Sequence, residues 1–401
     1  MKRLLLLGGG HAHLGVLAAL ARQRLAGAEV MLLTPHAELV YSGMVPGLVA
    51  GHYTAGQCRI ALAPLAAAAG VSLVTGAAVG LDAAAQGLRL ADGRTAGYDL
   101  LSIDTGSEQR RDRVAGAGEH ALFVRPIEAF VQGQQRLAER AARRALDIVV
   151  LGGGAAGFEL ALALQHRLNG DFRRGRSHPG GAERVRVALV TGGPEPLAGY
   201  PAAVLRDGAR VLAARRVTVF REAAVAVDAR SVQLASGARL ACDQAIVATG
   251  AEAPAWLAGS GLALTERGFV RTGSTLQSVS HPEVFAAGDV ATRDDLPHPK
   301  SGVYAVRAGA PLALNLRRAV QGLPPQPWRP QARTLNLLSC GGRRAIAAGG
   351  GLSGSERGFG RLAWWWKDHI DRGFIARSAA PQAVDGSAPP SLARPEGDHQ
   401  A

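Results

Sequence analysis

The chain has 401 residues, more than one domain usually holds, so its length predicts several domains or one large domain with an insertion. Hydrophobic residues make up 47%, which is ample for buried cores, and three scattered cysteines exclude a disulfide framework and favour a reducing compartment. The net charge of +13 is spread along the chain, which argues against a focused nucleic-acid site and leaves a weak attraction to anionic membrane surfaces.

Two segments resemble targeting or membrane signals but are predicted to be ordinary elements of a fold. Residues 1–7 have a basic start and four leucines, too few for a signal peptide, and no small-residue cleavage site follows. Residues 60–81 carry no charge, but Pro64 and Gly70 interrupt them. This pattern favours a helix followed by a strand, and we expect no transmembrane segment.

A glycine-rich turn follows the first apolar run, in LLLLGGGHAHLGVL at residues 4–17. In the dinucleotide-binding fingerprint G-x-G-x-x-G, the glycines permit a tight turn, approach of the backbone to pyrophosphate, and close helix–strand packing. Gly8 and Gly10 fill the first two places, whereas His13 stands in the third. We expect a structural His13, with the helix slightly off its strand or the side chain pointing away from the contact. His11 is placed to donate to a cofactor phosphate or flavin, and the i,i+2 spacing of the two histidines argues against a metal site.

The organisation of the chain follows from an internal repeat. A second apolar run that leads into glycines stands at residues 147–164, and residues 77–108 align with residues 223–252 with one small gap. In both aligned segments strand-like stretches surround a turn, and the segments end in DTGSE or ATGAE. The repeat predicts two related dinucleotide-binding domains.

The second fingerprint is complete, with Gly152, Gly154 and Gly157 between a strand-like and a helix-like stretch, and Glu159 two residues further on. This context favours a nucleotide site over a turn that merely starts a helix. The arginine-rich segment at 166–178 contains no interleaved aromatic pattern, so we expect a solvated loop there.

A strand-like stretch later in the chain runs into Gly288 and Asp289. The carboxyl ends of strands are where ligands dock in open α/β sheets. Asp289 could there accept a hydrogen bond from a ribityl hydroxyl, although by itself the pair is explained better by a simple turn.

These motifs stand in the order of a known family. They are GxGxx at the N-terminus, DTG at 104–106, GxGxxGxE at 152–159, ATG at 248–250 and AAGD at 286–289. Together they resemble the FAD-dependent pyridine nucleotide oxidoreductases, most of all the type II NADH dehydrogenase and sulfide:quinone oxidoreductase branch. Residues 41–53, 300–316 and 364–374 further resemble the NADH-dehydrogenase-like flavoprotein module that occurs alone or fused to selenide, water dikinase. The resemblance covers roughly residues 1–378.

The resemblance implies an α/β fold of two Rossmann-like domains, one inserted in the other, with FAD and NAD(P)H as cofactors. The FAD domain would comprise 1–118 and 256–330, the NAD(P)H domain 119–255, and residues 331–378 a small C-terminal region that caps the flavin or forms an interface. The implied cofactor-binding residues are Gly8, Gly10, His11, Ala12, Thr34, Pro35, Tyr41, Gly43, Thr105, Gly106, Gly152, Gly154, Gly157, Gly250, Gly288 and Asp289.

The implied reaction is hydride transfer from NAD(P)H to FAD, followed by electron release to a quinone or another acceptor. Glu159 would lie near the nicotinamide and flavin, where it positions the cofactor or relays a proton. Lys300 would lie beside the isoalloxazine and stabilise the reduced flavin, although a solvated surface lysine explains this residue equally well.

Three departures from the family pattern keep alternatives open. Neither nucleotide unit has an acid at the end of its second strand, where Thr34 and Pro35 or residues 191–193 stand, so NAD and NADP are not distinguished. The helix after Lys300 lacks Glu and Gln, which leaves the quinone site in doubt. Cys58 or Cys340 could serve sulfide or selenide chemistry, although isolated thiols favour transfer through flavin alone. A non-catalytic nucleotide sensor is the remaining alternative.

The C-terminal segment carries Leu362, Trp366, Ile370 and Phe374 at four-residue spacing, an apolar stripe on a helix. We prefer packing of this stripe against the flavin domain to a membrane interface. Residues 379–401 are rich in Pro, Ala, Gly and Ser and predict a disordered tail. The expected location is cytoplasmic, with peripheral attachment to the inner face of the membrane as an alternative.

Overall fold

The structure is a computed structural model that describes residues 1–170, 185–349, 352–354 and 356–378. The arginine-rich segment at 166–178, predicted to be a solvated loop, lies outside the described residues from residue 171 onward. The prediction of a disordered tail at 379–401 also lies outside them.

Short parallel strands alternate with helices through most of the described chain. The strands are β1 (Lys2–Leu7), β2 (Ala28–Thr34), β3 (Glu38–Val40), β4 (Arg59–Ala61), β5 (Ser72–Thr75), β6 (Ala78–Asp82), β7 (Gly87–Leu90), β8 (Thr95–Gly97), β9 (Leu100–Ile103), β10 (Ala121–Phe123), β11 (Leu146–Leu151), β12 (Val185–Val190), β13 (Thr218–Phe220), β14 (Ala224–Val227), β15 (Ser231–Leu234), β16 (Arg239–Ala241), β17 (Gln244–Val247), β18 (Val270–Thr272), β19 (Val284–Ala286), β20 (Ala291–Arg293), β21 (Asn336–Ser339), β22 (Ala345–Gly349) and β23 (Leu352–Gly354). The α-helices are α1 (His11–Arg22), α2 (Val45–Val49), α3 (Leu62–Ala69), α4 (Ala117–His120), α5 (Ile127–Arg143), α6 (Ala155–Gly170), α7 (Ala202–Ala214), α8 (Gly302–Val320) and α9 (Glu356–Ser378).

The first sheet has five parallel strands in the order β19-β9-β1-β2-β5. Strand β1 lies at its centre, and its last four leucines are buried, as an apolar run flanked by two strands requires. Helix α1 packs against α8 at two glycines, where a Cβ on Gly15 would lie 2.8 Å from Gly309 Cα. The absence of side chains at these two positions therefore brings the helices together over the sheet.

The second sheet repeats this arrangement with five parallel strands in the order β10-β17-β11-β12-β13. Strand β11 takes the central place that β1 has in the first sheet, and each is followed by a glycine turn and a helix. In each unit a three-stranded antiparallel sheet precedes one of the parallel strands. The sheet β6-β7-β8 precedes β9 in the first unit, and the sheet β14-β15-β16 precedes β17 in the second. The predicted α/β fold with two Rossmann-like units is confirmed.

The second unit interrupts the first along the chain. The first sheet takes strands from residues 2–103 and then β19 at residues 284–286, whereas the second sheet lies wholly within residues 121–247. One unit is therefore inserted in the other. The predicted residue boundaries of the domains stay a prediction.

The C-terminal region consists of the antiparallel sheet β21-β22-β23 and helix α9, which packs on β22. The face of α9 that points inward carries small or charged residues at helical spacing, namely Gly360, Ala363, Lys367, Asp371 and the partly buried Phe374. The exposed apolar side chains are Leu362 (51% exposed), Trp365 (59%), Trp366 (40%) and Ile370 (40%). The predicted inward packing of the stripe is wrong for Leu362, Trp366 and Ile370, because buried polar contacts of Lys367 and Asp371 orient the helix.

Within the described ranges, no helix is both long and apolar enough to cross a membrane.

Candidate active site

A cavity of about 490 Å³ opens at the carboxyl ends of β1, β2, β5 and β9, the edge where ligands bind in such sheets. Segments of the second unit, residues 125–128, close one side of it. The predicted residues that line it are Gly8, Gly10, His11, Thr34, Pro35, Thr105, Gly106 and Asp289. Tyr41 lies between the lining residues Val40 and Ser42.

The glycine turn after β1 is needed because Asp104 lies directly against it. Gly8 has φ +95°, and a Cβ there would lie 2.5 Å from the Asp104 carbonyl oxygen. A Cβ on Gly10 would lie 2.4 Å from the Asp104 carboxyl carbon. Any larger residue at Gly8 or Gly10 would therefore displace the turn from the end of β9.

Asp104 itself was not predicted as a site residue. Its Oδ2 accepts a hydrogen bond of 2.9 Å from the His13 backbone N–H, and the Ala12 amide also donates to the carboxyl group. Burial raises the pKa of Asp104 to about 8, while the amides of the α1 N-terminus oppose this rise. The sequence signal that could have identified it is a carboxyl group in DTG, at a strand end beside the fingerprint.

His13, in the third glycine position, is completely buried. Its Nδ1 lies 2.6 Å from the Gly8 carbonyl oxygen and its Nε2 lies 2.8 Å from the Ser102 hydroxyl. Burial lowers the pKa of His13 to about 4, so the ring is neutral at pH 7. Of the two alternatives predicted for His13, the one in which the side chain points away from the contact is wrong, because the ring joins the glycine turn after β1 to β9 by hydrogen bonds that a glycine could not make.

Two buried polar atoms in the cavity wall have no hydrogen-bond partner among the described residues: His11 Nε2 and the Thr105 hydroxyl. Such atoms are rare unless water or a ligand satisfies them. Burial also lowers the pKa of His11 to about 4, so its ring is neutral at pH 7 and retains one N–H donor. With the open glycine turn, these atoms fit a phosphate-containing cofactor such as FAD.

Asp289 is held by a residue that the sequence did not single out. Arg125, between β10 and α5, approaches the Asp289 carboxylate with an N···O distance of 2.9 Å, and its guanidinium also donates to the Ser107 hydroxyl. All three residues line the cavity. Arg125 therefore brings a positive charge from the second unit into the site of the first. Local sequence gives no signal for this contact, because 164 positions separate the pair.

Lys300 does not line this cavity among the described residues. Its ammonium group donates to the Thr292 hydroxyl at 2.8 Å and to the Ala291 carbonyl, and it lies 4.0 Å from the centre of the Phe269 ring. Burial lowers the pKa of Lys300 to about 8, and nearby Asp289 opposes this shift. The side chain is partly buried and tethered rather than solvated. Its predicted role beside the flavin stays a prediction.

The second glycine turn has the geometry that its fingerprint requires. Gly152 has φ +123°, and a Cβ on Gly157 would lie 1.8 Å from the Gly152 carbonyl oxygen, so the third glycine permits the helix to begin there. No atom lies within 4 Å of the Cβ position at Gly154 or Gly250. Backbone is thus accessible to a ligand at both.

Glu159 lies in the first turns of α6, and its Oε1 accepts a 2.7 Å hydrogen bond from the Ser339 backbone N–H. Burial raises the pKa of this carboxyl group, and the positive charge of Lys367 on α9 is the largest influence that opposes the rise. Tyr41 and Gly43 lie against the inward face of α9: the Tyr41 ring stacks on Phe374 at 4.4 Å, and the Gly43 carbonyl accepts a hydrogen bond from Lys367. The C-terminal region thus contacts both nucleotide units.

Cys58, Cys242 and Cys340 are all buried and form no disulfide. Burial raises the pKa of Cys58 and of Cys242 to about 11. Since the thiolate is the reactive form, these environments suppress nucleophilic sulfur chemistry at Cys58 and Cys242.

Comparison with known proteins gives one family. The sequence pattern of the pyridine nucleotide-disulphide oxidoreductase family matches residues 2–309. An NADH dehydrogenase-like protein of Mycobacterium tuberculosis strain H37Rv is 29% identical over 316 residues, 73% of this chain and 73% of the relative. Two solved structures share the fold. NDH2 from Plasmodium falciparum in complex with NADH has a TM-score of 0.78 and 11% sequence identity, and the match covers 96% of this chain and 100% of that chain. The sulfide:quinone oxidoreductase of Aquifex aeolicus has a TM-score of 0.74 and 16% sequence identity, and the match covers 94% of this chain and 91% of that chain.

Proposed function

Because the chain belongs to the pyridine nucleotide-disulphide oxidoreductase family, we propose that it oxidises NAD(P)H through bound FAD and passes the electrons to a quinone or a similar small acceptor. Membership of this family confirms the predictions of an oxidoreductase enzyme and of FAD and NAD(P)H as cofactors. The observation that carries the proposal is the pair of glycine turns at equivalent ends of two matching parallel sheets, one of which opens on a 490 Å³ cavity.

The first unit would hold FAD with residues that the cavity brings together. Gly8, Gly10 and the first turn of α1 would bind the pyrophosphate, since helix N-termini favour anions. Asp289, held by Arg125, would accept a hydrogen bond from a ribityl hydroxyl, and the unpartnered Nε2 of His11 would form a hydrogen bond with the cofactor. FAD, when bound, accepts two electrons as a hydride from a reduced nicotinamide and releases them to the second substrate.

The second unit would hold NAD(P)H. Gly152, Gly154 and Gly157 would bind its pyrophosphate, while Glu159 would accept a hydrogen bond from the nicotinamide end. The Ser339 backbone N–H already fixes one carboxylate oxygen of Glu159 at 2.7 Å, so the orientation of this side chain is set before the cofactor binds. Orientation of the two rings, rather than strong acid–base chemistry, would supply most of the rate.

The exposed apolar face of α9 supports peripheral attachment to a membrane, where a quinone dissolves. It comprises Phe359, Leu362, Trp365, Trp366 and Ile370, and the exposed Arg357 and Arg361 lie at one end of it. Vesicles that contain anionic lipid should therefore retain the protein on flotation. The double variant Trp365→Ser, Trp366→Ser should remain in the soluble fraction, and equal retention of both proteins would contradict attachment through this face.

A sulfide- or selenide-handling role has less support, because burial raises the pKa of Cys58 well above neutrality. Steady-state assays test the choice: the FAD-loaded protein should reduce a soluble quinone with NADH or NADPH as donor. A Cys340→Ala variant should retain this activity. Quinone reduction that requires sulfide and ignores both nicotinamides would overturn the proposal.

A further inference from the structure

Asp104 places a buried carboxyl group at the glycine turn of the first unit. It directly follows β9, and it is 2% exposed. Its Oδ2 accepts the 2.9 Å hydrogen bond from the His13 backbone N–H. Its Oδ1 lies between two glycine turns, because a Cβ added to Gly10 would lie 2.5 Å from this oxygen and a Cβ added to Gly288 would lie 2.6 Å from it. The carboxyl group therefore fills the space that these two glycines leave open.

The second unit forms the same turn without a carboxyl group. Ala248 follows β17 as Asp104 follows β9, and each donates its backbone N–H to the last residue of the central strand at 2.8 Å. A Cβ on Gly152 would lie 2.6 Å from the Ala248 carbonyl oxygen, and the corresponding distance from Gly8 to the Asp104 carbonyl oxygen is 2.5 Å. No atom lies within 4 Å of the Cβ position at Gly154, whereas its counterpart in the first unit meets the Asp104 carboxyl carbon at 2.4 Å. The carboxyl group is thus an addition to a turn that the fold forms without it.

Asp104 also occupies hydrogen-bond donors that a helix N-terminus otherwise offers to an anion. Helix α1 begins after Gly10, which has no side chain to cap it, and Asp104 caps the helix from 91 positions away. The His13 ring holds the same turn through the Gly8 carbonyl oxygen at 2.6 Å. Two departures from the second unit, a carboxyl group in place of alanine and a histidine in place of the third glycine, are therefore in direct contact. A cofactor phosphate at this turn must accommodate the carboxyl group.

The charged groups around Asp104 do not neutralise a carboxylate. On α1, His11 and His13 are neutral at pH 7, because burial lowers the pKa of each to about 4. After β19, Asp289 carries a negative charge that is paired with Arg125 at 2.9 Å. Burial and, to a smaller extent, Asp289 raise the pKa of Asp104 to about 8. Within the described residues no cation forms an ion pair with Asp104, so its carboxylate would repel a phosphate, whereas its protonated form can donate to one.

We propose, on the basis of the proposed function, that Asp104 is a cofactor-binding residue that binds the FAD pyrophosphate in its protonated form. The carboxyl group takes its proton from solvent, keeps the hydrogen bond from the His13 N–H at one oxygen and donates its O–H to a phosphate oxygen. The proton stays on Asp104. Binding of FAD to a deprotonated site is therefore accompanied by the uptake of one proton.

The pH dependence of FAD affinity tests this role. Equilibrium dialysis of the FAD-loaded protein should give a Kd that is constant between pH 6 and pH 7 and rises above pH 8 by up to about tenfold per pH unit. Asp104→Asn keeps an acceptor for the His13 N–H and a donor for the phosphate but cannot ionise. Its Kd should be constant from pH 6 to pH 9, so that at pH 9 it binds FAD about tenfold more tightly than the parent.

Lys300 supplies the matched control, because burial lowers its pKa to about 8 and its loss of charge would also weaken the binding of an anion as the pH rises. If Asp104 carries the proton, Lys300→Gln should retain the increase in Kd above pH 8. An increase that disappears in Lys300→Gln and persists in Asp104→Asn would assign the proton to Lys300 and overturn the inference.

A second readout needs no variant and serves if Asp104→Asn does not fold. Addition of FAD to weakly buffered protein from which the flavin has been removed should take up close to one proton per FAD at pH 9 and almost none at pH 6. Binding of FAD at pH 9 without proton uptake would overturn the inference, as would a parent Kd that is the same at pH 6 and pH 9. Either result would leave the proposed function intact, whereas a protein that binds no FAD at any of these pH values would refute the proposed function itself.

Discussion

Gly154, just before helix α6, and Gly157, in its first turn, belong to the same glycine fingerprint, yet the structure predicts different consequences when each becomes alanine. A Cβ on Gly157 would lie 1.8 Å from the Gly152 carbonyl oxygen, whereas real Cβ contacts are not found below 3.0 Å. Helix α6 or the turn must therefore move by more than 1 Å, at a cost of about 1–3 kcal/mol for overpacking. Since a domain of this size loses about 2–4 °C in melting temperature per kcal/mol, Gly157→Ala should lower the melting temperature by several degrees.

Gly154→Ala should behave differently, because no atom lies within 4 Å of its Cβ position and the fold has room for it. Its melting temperature should match that of the parent, but its affinity for NADH should fall, since the methyl group would point toward the bound pyrophosphate. Differential scanning fluorimetry and NADH titration of both variants separate the effects. Gly273→Ala, with no neighbour within 4 Å and outside both turns, is the control. Equal melting temperatures for the parent and Gly157→Ala would refute the packing argument.

Further predictions concern the first unit. Arg125→Met should weaken FAD binding by about tenfold, the loss of one charge-assisted contact near Asp289, and a flavin fluorescence titration with unchanged affinity would contradict this role. Burial raises the pKa of Asp104 to about 8 in the folded protein, so folding is disfavoured above the unfolded pKa of about 3.9, and the loss of stability grows as the pH rises toward 8. The melting temperature of Asp104→Asn relative to the parent should therefore rise between pH 4 and pH 8, and a constant difference would argue against a protonated Asp104. His13→Gly completes the fingerprint but removes the bonds to Gly8 and Ser102, so it should lower the melting temperature; a stabilised variant would show that these bonds contribute nothing.

The sequence predicted the fold because its signals are local and repeated. The apolar run of β1, the complete second fingerprint and the aligned segments 77–108 and 223–252 each specify a strand, a turn or a hairpin from neighbouring residues. Two copies of one order of elements then fix two similar sheets. The glycines also followed from the sequence, since each turn needs backbone conformations that other residues rarely adopt.

The side-chain contacts of the site could not be predicted in the same way. The orientation of the His13 side chain depends on Ser102, 89 positions away, and the orientation of the Arg125 side chain depends on Asp289, 164 positions away. The periodicity of α9 identified its apolar stripe but not the face that packs against the rest of the protein. That face is set by the contacts of Lys367 and Asp371 with Gly43 and Tyr41, which are more than 300 positions away. Long-range polar pairing decided each of these cases, and a single sequence carries little record of it.

The central claim is that electrons pass from a nicotinamide to FAD bound in the first unit. An anaerobic titration of the purified, FAD-loaded protein with NADH and then NADPH, followed by visible absorption, tests it most directly. The account predicts that about one equivalent of one of these donors bleaches the flavin band. A protein that cannot be loaded with FAD, or a flavin that neither nicotinamide bleaches, would contradict it.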